Sequence, residues 1–357
     1  VSHGVEKRSK VRSRIVADQL VKLIKEADHV VIMGHRMSDL DAIGSAEGVL
    51  RICKICDVPA VIAVRRDATL AGSLINALIA AGQEDDFIDP KGALPIISQR
   101  TLCIVVDTYQ LGLVESREIL EKCGKVAVID HHRKGVGFIE KADLVCHEPY
   151  ASSASELVTE FLQYVGDRDD KPNRIEAEGL LSGIMLDTRD FTLHTGVRTF
   201  EAAAALRRYG AETEHVRQLF DVSMVEYTTK ATLVSEAQMY RGCAITVSGE
   251  VAPEARVAIA QAANDLLTIQ NVEASFVAVQ VGTGVNISAR SLGAVNVQVI
   301  MESLGGGGHQ TMAAAQLKHI TPEAARSRIQ TAIDQYREAQ KKSGLESESE
   351  QKKKDKQ

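Results

Sequence analysis

Residues 29 to 44, H-V-V-I-M-G-H-R-M-S-D-L-D-A-I-G, constrain the fold more than any other stretch of this chain. Val30 to Met33 is a short, β-branched apolar run that a glycine ends, which is typical of a strand covered on both faces of a parallel sheet. The loop beyond it, where open α/β sheets place their ligands, carries His35, Asp39 and Asp41. One imidazole and two carboxylates suit Mn²⁺ and tolerate Mg²⁺, Fe²⁺ or Zn²⁺. Taken alone, the stretch fits an acidic surface loop equally well.

Helical stripes and short apolar runs alternate along the first part of the chain. The pattern predicts helices over residues 12–27, 42–56 and 68–82, and strands over 58–64, 102–106 and 125–129. Such alternation is typical of a doubly wound parallel sheet. Further along, short strands are predicted over residues 244–248, 275–281 and 286–290, with helices beginning at Ala252 and Asn296. These describe a second, smaller α/β unit.

A chain of 357 residues is long enough for two domains with separate cores. We predict an α/β catalytic domain over residues 15–215, a connector helix over 216–235 and a smaller α/β domain over 236–336. Residues 337–357 are charged and of low complexity, so we predict a disordered tail there.

Two further predicted strands also end in acidic or imidazole side chains. Asp107 follows the strand at 102–106, and Asp130, His131 and His132 follow the strand at 125–129. An aspartate at a strand end is often only a cap. Beside a neighbouring strand that already presents His35, however, the Asp107 carboxylate is well placed to bridge two metals.

The two adjacent histidines cannot both point the same way. We therefore expect at most one to bind metal directly and the other to face substrate, with Asp130 orienting a ring. Asp187 follows an apolar helical segment, so it is predicted to be buried and to need a partner, which a metal would supply.

The second unit contains four consecutive glycines at 305–308, followed by His309. Glycines let backbone amides approach an anion closely, and Arg290 can grip a phosphate with two donors. In the first domain, Ser153 and Glu156 fit a capping box at a helix start, which is a lesser candidate for phosphate contact.

The amino-acid composition limits the classes of substrate that this chain can bind. The net charge of −6, the 4% aromatic content and the lack of tryptophan argue against a long nucleic-acid track, but they leave short substrates open. No apolar run is long enough to cross a membrane and no signal peptide is predicted, so we expect no membrane contact by this chain. Six scattered cysteines favour a reducing cytoplasm.

With H-x-x-x-D-x-D, D-T-Y, D-H-H and L-D-T in this order, the chain resembles the DHH phosphoesterase superfamily. The glycine run with His309 resembles the DHH-associated C-terminal domain of that superfamily. Longer phrases, such as G-H-R-M-S-D-L-D-A-I-G and I-M-E-S-L-G-G-G-G-H, resemble its cyclic di-AMP phosphodiesterases from Gram-positive bacteria. The resemblance implies a hydrolase of second-messenger signalling that converts cyclic di-AMP to linear 5′-pApA.

The same resemblance implies two bound Mn²⁺ ions, with Mg²⁺ or another divalent metal as alternatives. It assigns the metal ligands as His35, Asp39, Asp41, Asp107, His131 and Asp187, with Asp107 as the bridge, His35 and Asp39 on one ion, and the remaining three on the other. His132 matches a position near the scissile phosphate. The residues that match the substrate-binding region are Arg290, Ser291, Gly306, Gly307, Gly308 and His309.

The resemblance also implies a homodimer in the cytoplasm. In the full-length relatives, transmembrane helices, a sensory PAS domain and a degenerate cyclase-like domain precede this part, so a full-length form is expected to be membrane-anchored. Two alternatives stay open: an oligoribonuclease or phosphoadenosine phosphate phosphatase of the same superfamily, and a nucleotide-binding sensor that has lost catalysis. The sensor is disfavoured because every expected ligand position carries Asp or His.

Overall fold

The computed structural model describes residues 2–132, 137–220, 224–251 and 256–354, which form two compact units that divide between Asp221 and Val222. The helices of the first unit are α1 (Ser2–Glu26), α2 (Leu40–Ile55), α3 (Gly72–Ala80), α4 (Pro90–Ala93), α5 (Arg117–Lys122), α6 (Ala154–Leu162), α7 (Arg174–Thr188), α8 (Val197–Arg208) and α9 (Thr213–Gln218). Its strands are β1 (His29–Met33), β2 (Ala60–Ala63), β3 (Phe87–Ile88), β4 (Thr101–Val106), β5 (Lys125–Asp130) and β6 (Leu144–His147).

The six strands of the first unit form one parallel sheet in the order β3-β2-β1-β4-β5-β6. The predicted doubly wound parallel sheet is therefore confirmed. The strand order reverses between β1 and β4, which opens a crevice outside the carboxyl ends of these two strands. The loops after β1 and β4 carry His35 and Asp107, so the topology brings both residues to this crevice.

Side chains of β1 alternate between two cores. Val30 and Ile32 pack into the core that includes residues of α2, α6 and α7, whereas Val31 and Met33 pack into the core on the other face of the sheet. On the first face, α2 and α7 approach closely at Gly44, where an added Cβ would lie 2.3 Å from the carbonyl oxygen of Gly179. The two helices therefore pack backbone against backbone.

The second unit consists of a mixed sheet with helices on both faces, which confirms the predicted smaller α/β domain. Its strands follow the order β11-β12-β10-β9-β8-β7, and only the β8 and β9 pair is parallel among the described strands. The elements are α10 (Met224–Ser235), β7 (Gln238–Tyr240), β8 (Cys243–Glu250), α11 (Arg256–Leu266), β9 (Ala274–Val281), β10 (Gly284–Ser291), α12 (Val297–Ser303), β11 (Gly307–Gly308), β12 (Met312–Leu317) and α13 (Pro322–Lys354). Residues of α10 and α11 line one core, and residues of α12 and α13 line the other.

The structure corrects two predictions about this part of the chain. Residues 337–357 were predicted to be disordered, whereas α13 extends from Pro322 to Lys354, in keeping with the good helix propensity of Glu, Lys and Gln. The predicted connector, 216–235, is not one helix: α9 ends at Gln218, and α10 buries Leu233 in the core of the second unit. The predicted helix start at Ala252 lies outside the described residues.

Candidate active site

The loop after β1 and the loop after β4 bring together a first group of potential metal ligands, formed by His35, Asp39 and Asp107. Nε2 of His35 lies 3.4 Å from Oδ2 of Asp107 and 3.8 Å from Oδ2 of Asp39. Asp39 is the N-cap of α2, where its other oxygen, Oδ1, accepts hydrogen bonds from the backbone N–H groups of Asp41 and Ala42. One carboxylate oxygen of Asp39 thus fixes the helix start and the other faces His35.

A second group consists of Asp41, Asp107, His131 and Asp187. Nε2 of His131 lies 2.9 Å from Oδ2 of Asp187, 3.4 Å from Oδ1 of Asp107 and 3.8 Å from Oδ2 of Asp41. Asp107 belongs to both groups and turns one oxygen toward each histidine. The six candidate ligands predicted from the sequence therefore lie together, and Asp107 is common to both groups. A third, overlapping group of possible ligands consists of Asp107, Asp130, His131 and His132.

Asp107 stands at a special backbone position. Its φ of +57° is in the left-handed region, which aspartate and asparagine tolerate better than most residues. Its backbone N–H donates to the carbonyl of Ile129 in the neighbouring strand β5, so the residue extends the sheet before the chain turns. The side chain is only 3% exposed.

The structure corrects the expected placement of Asp41. We predicted that it lies with Asp39 in an extended loop, but α2 begins at Leu40 and puts Asp41 in its first turn, completely buried. The cause is the cap that Asp39 provides, which starts the helix earlier than its apolar pattern indicates.

The predicted capping box at the start of α6 is half correct. Oγ of Ser153 accepts a hydrogen bond from the backbone N–H of Glu156, as predicted. The carboxylate of Glu156 does not return to Ser153, however; it accepts from Ser152 and from Thr199 instead.

The two groups contain more negative charge than their histidines balance: four carboxylates face two imidazoles. Burial works to lower the pKa of His35, but Asp107 and Asp39 outweigh it and raise that pKa to about 10. Burial, together with the charges of Asp107 and Asp187, raises the pKa of Asp41 well above its usual range. Conversely, His131 and His35 overcome the effect of burial and lower the pKa of Asp107. A divalent cation would relieve this repulsion.

Two buried atoms at the centre fit such a cation. Oδ1 of Asp107 and Nε2 of His131 are inaccessible to solvent, and despite the short distances given above neither atom makes a well-aligned hydrogen bond to a described residue. Buried polar atoms are rarely left unpaired, and an imidazole nitrogen with carboxylate oxygens is a donor set that Mn²⁺ and related divalent metals accept. The residues present therefore fit a divalent metal.

His132 is held differently from His131. Its Nδ1 lies 2.8 Å from Oδ1 of Asp130, and the same oxygen accepts hydrogen bonds from the backbone N–H groups of both histidines. The His132 side chain is 54% exposed, compared with 12% for His131. Asp130 thus fixes the ring of His132 through Nδ1, and Nε2 remains for an external group.

The candidate substrate residues of the second unit lie around the β10 and β12 pair. Arg290 pairs with Met312 across these strands, and its guanidinium donates to Oγ of Ser288 and to the carbonyl of Ala289. His309 is exposed and closes the turn before β12. Ser291 does not join this surface: it is buried, and its Oγ accepts from the backbone N–H of Gly293.

The glycine run has a structural cause in addition to any role with anions. Gly307 and Gly308 form β11 and pair with β12. A Cβ on Gly306 would lie 2.1 Å from the carbonyl oxygen of Ala314, and one on Gly308 would lie 2.5 Å from Cα of Ala313. Larger residues would therefore force β11 away from β12.

Comparison with known proteins agrees with this architecture. Residues 29–184 match the DHH family N-terminal domain, and residues 251–340 match the DHHA1 domain. The chain therefore contains a DHH domain followed by a DHHA1 domain. Among the described residues, no helix has both the length and the apolar character that crossing a membrane requires.

Curated relatives include the cyclic-di-AMP phosphodiesterase GdpP of Geobacillus thermodenitrificans, with 46% identity over 95% of this chain, and the cyclic-di-AMP phosphodiesterase PdeA of Listeria monocytogenes, with 41% identity over 94%. The chain spans about half the length of these relatives, 52% in each case. Among solved structures, an exopolyphosphatase-related protein from Bacteroides fragilis has the same fold, with a TM-score of 0.77 and 20% identity over 92% of this chain and 98% of that one.

Proposed function

We propose that this chain is a metal-dependent phosphodiesterase that hydrolyses one phosphodiester bond of cyclic di-AMP and releases linear 5′-pApA. The observation that carries the proposal is the position of Asp107 between two groups of histidine and aspartate side chains. The identity of 46% to a protein named as a cyclic-di-AMP phosphodiesterase supports this substrate over other DHH-family substrates.

We assign two Mn²⁺ ions to the two groups. His35 and Asp39 would hold one ion, Asp41, His131 and Asp187 the other, and Asp107 both. When bound, such ions lower the pKa of the attacking water and stabilise charge on both the attacking and the leaving oxygens.

The chain's own residues then bind and orient the substrate. His132, fixed through Nδ1 by Asp130, is positioned to donate from Nε2 to an oxygen of the scissile phosphate. Arg290 and His309 would bind the phosphate that is not cleaved, because a guanidinium gives paired, charge-assisted hydrogen bonds. The surplus of carboxylates also repels substrate phosphates in the absence of metal, so catalysis should need the metal for binding as well as for chemistry.

The test is product formation from cyclic di-AMP, cyclic di-GMP and linear pApA, each with Mn²⁺ and with a chelator, resolved by chromatography. We expect metal-dependent conversion of cyclic di-AMP to pApA in preference to the other reactions. Turnover of pApA alone would assign the chain to the oligoribonuclease branch. Tight binding without turnover of any substrate would favour the sensor.

We further propose that the protein acts as a cytoplasmic homodimer. This rests on the family resemblance. Sedimentation equilibrium of the purified chain at several concentrations would test it, and a monomer at all concentrations would contradict it.

A further inference from the structure

One proposed metal ligand is held by a helix that contributes no ligand. Oδ2 of Asp41 accepts a hydrogen bond of 2.7 Å from the backbone N–H of Ala154, and Oδ1 accepts one of 2.8 Å from the backbone N–H of Ser155. These two residues form the first turn of α6. Since both oxygens of Asp41 are restrained, the direction in which its remaining lone pairs point depends on where α6 begins.

The start of α6 is in turn fixed by a buried carboxylate outside the metal groups. Oε2 of Glu156 accepts hydrogen bonds from the backbone N–H and the Oγ of Ser152, at 3.2 and 2.5 Å, and from Oγ1 of Thr199, at 2.6 Å. Glu156 and Thr199 are each only 1% exposed. Arg198 lies 3.9 Å from the other oxygen of Glu156. Glu156 therefore ties the turn before α6 to the first turn of α8.

A third helix, α7, packs closely against the contact between Asp41 and the first turn of α6. A Cβ on Gly183 of α7 would lie 2.3 Å from Oγ of Ser155 and 2.6 Å from Oδ1 of Asp41. The backbone of α7 thus closes the side of Asp41 that α6 leaves open. Asp41 is enclosed by its own helix, by α6 and by α7.

We propose that Glu156 and Thr199 are positioning residues for the metal centre, which fix the α6 amides that orient the carboxylate of Asp41. The inference rests on the proposed metal function of Asp41. Neither residue belongs to the ligand groups of the described chain, so both act through the protein. Outer partners that orient a metal ligand typically contribute tenfold to a hundredfold in metal affinity, roughly, and we expect an effect at the lower end here because the amides remain in place.

The first experiment compares two substitutions at one position. Thr199→Val removes the hydrogen bond to Glu156, whereas Thr199→Ser keeps it together with the bond from the backbone N–H of Gly196. Free Mn²⁺ is measured by electron paramagnetic resonance during titration of each protein without substrate. We expect about tenfold weaker binding of one Mn²⁺ ion in Thr199→Val and wild-type binding in Thr199→Ser.

The second experiment compares the Mn²⁺ affinity of two substitutions at Glu156. Glu156→Gln retains an oxygen for the donors of Ser152 and Thr199, and Glu156→Ala does not, so the expected order of Mn²⁺ affinity is wild type, Gln, Ala. Glu176→Gln is the matched control, because Glu176 is also 1% exposed but caps α7 and pairs with Arg51. Its Mn²⁺ affinity should equal that of the wild type.

Kinetics supply an independent readout. The Mn²⁺ concentration for half-maximal rate should rise in Thr199→Val, while KM for cyclic di-AMP at saturating Mn²⁺ stays unchanged. Mn²⁺ binding that is unchanged in folded Thr199→Val and Glu156→Ala proteins would overturn the inference. If Glu156→Ala does not fold, by circular dichroism, the Thr199 pair decides alone. Because binding is measured without substrate, a wild type that binds Mn²⁺ but does not cleave cyclic di-AMP refutes the proposed reaction and leaves this inference standing.

Discussion

In the first unit the candidate ligands are buried or half-buried and contact one another, whereas in the second unit the candidate substrate contacts other than Ser291 lie on or near the surface. Asp41 is completely buried and Asp107 nearly so, and each contacts charged or polar groups from several elements. His309 is exposed, and Arg290 is half-buried in the inner strand β10. We therefore propose that side chains of the first unit mainly affect the rate of the chemical step, and that side chains of the second unit mainly affect the affinity for substrate.

The largest effect is expected at Asp107. Asp107→Ala should lower kcat by at least about a thousandfold, on the order of 4 kcal/mol in activation free energy, because both proposed ions lose a shared ligand. Mn²⁺ should also cease to raise the melting temperature measured by calorimetry. Asp107→Asn is the control, since asparagine tolerates the positive φ of +57°. Near-native turnover in the alanine variant would remove the bridging role.

A smaller loss is expected at His132. His132→Ala should reduce kcat about a hundredfold, which is the lower range for a side chain that donates or accepts a proton in the transition state. Mn²⁺ binding, measured by titration, should be preserved because Nδ1 of His132 contacts Asp130, which is not one of the six proposed ligands. Loss of Mn²⁺ binding would instead place His132 among the ligands.

Arg290→Ala tests whether the second unit contributes to substrate binding without affecting metal binding. We expect KM for cyclic di-AMP to rise about tenfold, equivalent to roughly 1.4 kcal/mol of binding, with Mn²⁺ affinity unchanged. Lys318→Ala, which removes a positive charge from an exposed position of the same unit, is the control and should leave KM unaltered. An unchanged KM in Arg290→Ala would exclude it from substrate binding.

The smallest effect on activity is expected at Glu47, although its effect on stability is clear in sign. Burial, with the nearby charges of Asp86 and Glu176, raises the pKa of Glu47 to about 8, and neither oxygen has a hydrogen-bond partner among the described residues. The folded chain therefore keeps a proton that the unfolded chain releases above about pH 4.5. Stability should fall as pH rises from about 4.5 to 8, by up to roughly 1.4 kcal/mol per pH unit.

Glu47→Gln should flatten this dependence and raise the free energy of unfolding near pH 7, with kcat unchanged. Urea denaturation at pH 5, 6, 7 and 8 measures it. If the free energy of unfolding depends on pH in the same way in the variant and the wild type, the pKa of Glu47 is not raised and its carboxylate has a partner in the folded protein. Glu47 is thus a buried carboxylate outside the proposed metal groups, and it can be compared with Asp107, which is a buried carboxylate within them.

The sequence was sufficient to predict that the candidate ligands of the first unit lie close together. His35, Asp107 and His131 each follow a short apolar run, and parallel strands present their carboxyl ends on one edge. The support for Asp41 could not be predicted, because the amides that hold it are 113 and 114 residues away in the chain. Local patterns indicate that a helix begins near Ser153, but they do not indicate which carboxylate that helix start faces.

The second unit shows a different limit. Arg290 and Ser291 were both predicted to contact substrate, but they are adjacent in β10 and so project to opposite faces of the sheet. That alternation was readable in the sequence and would have separated the two residues. By contrast, the close contact of Gly306 with Ala314 depends on how α12 meets β12, which no local pattern specifies.

The backbone contact between Gly44 and Gly179 bears on how this protein could be re-engineered. Asp41 lies three residues before the first glycine and Asp187 eight residues after the second, so the distance between these ligands is set by how two helices pack. A circular permutation that opens the chain between α6 and α7 and links the original termini would leave the packing of α2 against α7 unchanged. The metal centre should accordingly survive circular permutation at residues 163–173, where most side chains are at least partly exposed.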